Sequence, residues 1–99
     1  MTKPVRIRLH RSVLIDLPDF DVGDLGPVEH ALLGLGAEKL SSVGEPWEET
    51  RRYCLGGCEI ILDWDGYTSG LRTTDPAQLA ALFKALSQSP LFEGAEQNS

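Results

Sequence analysis

Positive charge is in short supply. Nine lysines and arginines stand against fifteen aspartates and glutamates, leaving the 99-residue chain at a net −6. Affinity for a nucleic-acid backbone comes from neutralising phosphates, so this balance argues against nucleic-acid binding. Histidine is scarce, with only His10 and His30, and cysteine is limited to Cys54 and Cys58. A structural zinc site needs four Cys/His ligands in close groups, so no metal or other cofactor is expected. Long apolar runs are missing too. None approaches the ~20 residues of a membrane helix, and no membrane span is expected. Arginines break every apolar pair in MTKPVRIRLHRS, unlike the uninterrupted core of a secretory signal. Two cysteines without such a signal suit a reducing, cytoplasmic setting. The length fits one domain with a modest core.

What is present is strand-like. The stretch RRYCLGGCEIILDWDG, 51–66, carries both cysteines around a glycine pair. Gly56-Gly57 fits a two-residue hairpin turn, because glycine tolerates the positive φ such turns demand. Cys54 then faces Glu59, and Leu55 faces Cys58. Side chains alternate along a strand. One face therefore collects Tyr53, Leu55, Cys58, Ile60, Leu62 and Trp64. The other collects Thr50, Arg52, Cys54, Glu59, Ile61 and Asp63. Asp65-Gly66 supplies a second hairpin signal. It predicts Trp64 opposite Tyr67, Ile60 opposite Leu71, and a Glu59–Arg72 ion pair. A three-stranded meander over about 48–73 follows, and its register sends the two sulfurs to opposite sides. Cys58 is read as a small core side chain and Cys54 as a partly exposed thiol.

Elsewhere, VRIRLHRSVLIDL, 5–17, alternates apolar and polar residues. A loop at His10-Arg11-Ser12 predicts a hairpin with Leu9 opposite Val13, Ile7 opposite Ile15, and Arg6 opposite Asp16; one long bent strand is the alternative. Val28, Ala31, Leu32 and Leu35 at helical spacing predict a helix over about 25–35, with Pro27 first and Gly36 as its C-terminal cap. Residues 39–43 read as a short strand. Asp75, Pro76 and Gln78 mark a helix start, and Leu79, Leu82, Phe83 and Leu86 form its apolar stripe. The expected fold is α+β: a two-layer sandwich, order ββα(β)βββα, whose mostly antiparallel sheet carries both helices on one face. Residues 1–90 form the expected domain, and 91–99 read as a frayed tail.

Chemistry is thin. Asp16, Asp19, Asp21 and Asp24 precede the first helix, but an EF-hand loop would need a glutamate where His30 stands. His30 is read as a surface residue and His10 as part of a hairpin tip. No phosphate loop follows a strand. Arg6, Arg8, Arg52 and Arg72 gather on the outer sheet face, where Asp16, Glu59 and Asp63 answer their charge. Inward-pointing aromatics leave that face without the stacking platform of a nucleic-acid binder. Trp47, in the loop GEPW, either folds back over the core or stands exposed as a partner anchor. The function stays unassigned by sequence. The leading expectation is a non-catalytic interaction module, an adaptor, regulator or immunity-type inhibitor, meeting a protein partner through Trp47, Arg52, Arg72 and Arg8. The alternative is a small enzyme or ligand binder with a pocket between helices and sheet. A monomer or weak homodimer is expected. Strand 5–10 or 39–43 is the candidate edge, and Arg6, Arg8 and Lys39 discourage self-pairing there.

Overall fold

The computed structural model describes residues 4–10, 14–18, 22–45, 47–65 and 69–97. Along the chain these form β1 (Val5–His10), β2 (Leu14–Asp16), a 3-10 turn (Val22–Asp24), α1 (Leu25–Gly34), β3 (Glu38–Glu45), β4 (Glu48–Leu55), β5 (Cys58–Trp64), β6 (Ser69–Thr73), α2 (Pro76–Ser87) and β7 (Phe92–Gln97). The strands make one seven-stranded sheet in the order β3-β4-β5-β6-β2-β1-β7. Every pairing is antiparallel except β1 with β7. The architecture is the expected α+β sandwich.

Parity explains the core. Tyr53, Ile60, Leu62 and Leu71 share one sheet face and are fully buried. Val5, Ile7, Leu9, Ile15 and Leu17 continue that face and join Leu25, Val28 and Leu32 of α1 and the α2 stripe in one apolar cluster. Both helices therefore cover the same side. Gly56 and Gly57 hold φ of 59° and 82°, the left-handed values that close the β4–β5 hairpin with Leu55 opposite Cys58. α2 starts as its sequence dictates. The Asp75 side chain accepts a hydrogen bond from the Ala77 N–H at 3.0 Å, with Pro76 in the first turn.

α1 begins at Leu25, two residues ahead of Pro27, because the 3-10 turn feeds into it directly. Its end is a Schellman motif. The Gly36 N–H reaches the Leu33 carbonyl at 3.0 Å and the Ala37 N–H reaches Leu32 at 3.1 Å, with Gly36 at φ 104°. Leu32 and Ala37 are both buried, which supplies the apolar contact that usually accompanies this cap.

Three sequence expectations are corrected. The N-terminal hairpin forms, but two residues out of the anticipated register: Leu9 pairs with Ile15 and Arg8 with Asp16, so the connection is 11–13. Val13 lies outside the described residues. The β5–β6 hairpin shifts likewise: Trp64 pairs with Ser69 and Leu62 with Leu71, so the connection is 65–68. Tyr67 lies outside the described residues. Arg72 consequently meets Asp63, and Glu59 takes Arg52 instead. A shift of two preserves which face each side chain occupies, so the apolar pattern could not detect it. Finally, the tail does not fray along 92–97. It forms β7, parallel to β1, with Phe92 in the core and the Val5 N–H bonded to the Leu91 carbonyl at 2.9 Å. β1 is thereby an interior strand, and the sheet edges are β3 and β7.

Candidate docking surface

The face away from the helices is polar and concave. One row of register partners crosses six strands: Val43, Thr50, Asp63, Gly70, Asp16 and Arg8. Its charges are answered locally. Arg8 meets Asp16 at 2.5 Å, the Thr50 hydroxyl donates to Asp63 at 3.0 Å, and Arg72 reaches Asp63 from the neighbouring row. Arg52 meets Glu59 at 3.0 Å. The predicted arginine face therefore exists, and Arg8, Arg52 and Arg72 are engaged in ion pairs on it. These pairs are substantially exposed, where such contacts contribute little stability.

Gly70 carries no side chain into the middle of the row, and the Leu14 side chain fills the space over its backbone. A hollow of about 740 Å³ opens along this row. Asp16, Glu45, Glu48, Glu49, Asp63 and Asp65 line it with Arg72 as the cation among its lining residues, although the Glu49 carboxylate turns to the helix side, where it meets Arg51. Glu45 and Glu48 are direct register partners at the tip of the β3–β4 hairpin, both exposed. Like charges facing each other across a ladder repel, so this tip favours an incoming cation. Trp47 sits in the turn between them and is 63% exposed, and Val43 on the same arm is 70% exposed. Trp47 is thus a surface residue, and the lid reading is overturned. It stands at the outer end of the arm, beyond the last pair of the ladder.

On the helix side the same arm is anchored. Glu29 of α1 accepts from the Tyr53 hydroxyl at 2.8 Å, and Lys39 and Arg51 approach the same oxygen at 3.0 and 3.4 Å. Arg51 also pairs with Glu49. Burial pushes the Glu29 carboxyl up, but the Lys39 and Tyr53 hydrogen bonds and the Arg51 charge outweigh it and hold it below its ordinary value. Burial, then the Glu29 bond and charge, push the Tyr53 phenol well above its ordinary value. These groups fix the arm rather than face the hollow.

Cys54 and Cys58 are free thiols, each half-buried, and the register sets Cys54 against Glu59 and Cys58 against Leu55 on opposite faces. His30 is exposed, and His10 ends β1. Asp19 and Asp21 lie outside the described residues. Among the described residues, no group of three or more His, Cys, Asp or Glu side chains could hold a metal ion. No helix of the structure is long and apolar enough to cross a membrane. The carboxylates Glu45, Glu48 and Glu49 were missed by sequence reasoning. The run GEPWEE, 44–49, displayed them, but the placing of Glu45 and Glu48 on one face with Asp63 and Asp16 depends on pairings across the whole sheet. Comparison with protein-family models, curated proteins and solved structures finds no match for this chain.

Proposed function

We propose that the chain is a non-catalytic interaction module that docks a basic protein partner on the open sheet face, with Trp47 as an anchor at the rim. The carrying observation is the Glu45–Glu48 pair at the lip of a hollow whose lining sets Asp16, Glu45, Glu48, Asp63 and Asp65 against Arg72. A positive partner surface relieves that repulsion, and the net charge of −6 speeds its approach. An exposed tryptophan beside carboxylates offers both apolar area and a π face to lysine or arginine. An adaptor, regulator or immunity-type inhibitor of a basic protein, in a cytoplasmic setting, fits these features. The ligand-binder alternative places its pocket between helices and sheet, whereas this hollow lies on the opposite side.

The test is affinity capture from native lysate with the chain and with a Glu45→Lys/Glu48→Lys variant, each at low and high salt. The expected partner is basic, is lost from the variant and elutes with salt. Equal retention by both proteins, or an acidic partner, overturns the reading.

A further inference from the structure

We infer that the edge of β3 takes up an extended segment of the basic partner as an added strand, a mode that rests on the docking reading above and specifies it. β3 ends the sheet, so one side of its backbone has no strand beside it. Such an edge is a template for pairing unless it is blunted by lysine, proline, a bulge or shortness. β3 is blunted over half its length only. Lys39 and a break in register between Lys39 and Ser41 protect the first half. From Ser41 to Glu45 the register is regular, and the sequence SSVGE contains no lysine or proline. This open half is also where the arm is barest, with Ser42, Val43, Gly44 and Glu45 all exposed.

The side-chain pattern says what the segment carries. Val43 and Glu45 point to the outer face, as do their partners Thr50 and Glu48. Ser42 and Gly44 point to the other. An added strand lies roughly 4.8 Å away, with its side chains alternating in the same way. An apolar residue opposite Val43 and a lysine or arginine two positions along, opposite Glu45, then share the outer face. The cation also reaches Glu48, and small residues face Ser42 and Gly44. Backbone bonds supply the affinity and alternate side chains the selectivity, as in other strand-addition complexes.

The probe is the capped peptide Ser-Val-Ser-Lys-Ser-Val-Ser-Lys. Its counterpart with every serine replaced by proline keeps the charge but not the strand. Binding is followed by titration at low ionic strength and by amide hydrogen exchange of the intact chain. The serine peptide is expected to slow outward-facing amides of 41–45 by on the order of tenfold or more, and the proline peptide to leave them unchanged. Equal binding of both peptides without slowed β3 exchange overturns strand addition and leaves basic docking standing. Failure of both to bind, together with a negative charge-reversal capture, overturns both. Slowed β3 exchange that rises with protein concentration in the absence of peptide assigns the edge to a second copy and overturns the proposal.

Discussion

The Tyr53 hydroxyl donates to Glu29 Oε1 at 2.8 Å, joining residues 24 positions apart. This bond ties α1 to β4, and Lys39 at the same carboxylate ties α1 to β3. The arm that carries Val43 and Trp47 is therefore held at its base by one glutamate with three donors. Rigid presentation of an exposed anchor depends on that base. Tyr53→Phe removes the donor while leaving the buried ring, and a bond to a charged acceptor that retains other partners contributes about 1–2 kcal/mol. Urea denaturation of the variant should show that loss with an unchanged m-value. Adding Glu29→Gln should cost less in the Tyr53→Phe background than alone, since the two residues act together.

The same site gives two pH signatures. Glu29 is held below its ordinary value of 4.5 in the folded chain. Above that value both folded and unfolded states are ionised and the stabilisation is complete. As pH falls below about 4.5 the unfolded state takes up its proton first, and the stabilisation is lost. Tyr53 behaves in the opposite sense. Its folded value is raised above 10.0, so its contribution is complete below that pH and is lost as pH rises beyond it. Denaturation midpoints measured from pH 3 to 11 should therefore fall at both ends. Glu29→Gln should flatten the acid limb and Tyr53→Phe the alkaline one. A variant that follows the parent at both ends would remove this assignment.

Legibility of the fold followed the strength of the apolar pattern. Tyr53, Leu55, Ile60 and Leu62 share one parity set by the Gly56-Gly57 turn, and although Ile61 interrupts the polar set on the other side, the face they share was readable directly. The pairing partner was not, because Leu71 can oppose Ile60 or Leu62 without changing faces. Only the length of the connection decides, and 65–68 carries a strong two-residue turn signal that the chain does not use. β7 left almost no trace, since a parallel edge strand needs one core anchor and a backbone. Phe92 is that anchor, and the acidic FEGAEQ around it reads as tail. The arginine face was visible from parity, whereas the acidic hollow arises from pairings between β2, β3, β4, β5 and β6 that no local spacing encodes.

Phe92 separates the two readings of the C-terminus by experiment. It is 5% exposed and packed in the core cluster. Phe92→Ala should destabilise the chain by about 3 kcal/mol, the lower end for a buried phenylalanine. Thermal or urea unfolding measures it. A frayed tail would give a change near zero. Truncation after Leu91 should cost at least as much, because it also strips β1 of its parallel neighbour and turns it into an exposed edge.

The outer arginines make the last separation, between stability and recognition. Arg52 and Arg72 are about half-exposed and pair with Glu59 and Asp63. Exposed ion pairs typically contribute 0–1 kcal/mol, so Arg52→Ala and Arg72→Ala should each shift the unfolding midpoint only slightly. Asp63 keeps its bond from Thr50 in the second variant. Recognition should respond in the opposite direction. Arg72 lines the hollow, and its removal frees the Asp63 carboxylate and makes the lining wholly acidic among its charged residues. Association with a basic partner should then quicken at low salt and converge with the parent as salt screens the field. Stopped-flow rates at two ionic strengths measure this. A slower Arg72→Ala variant would mean that the guanidinium itself contacts the partner, and that the partner presents a carboxylate at that point.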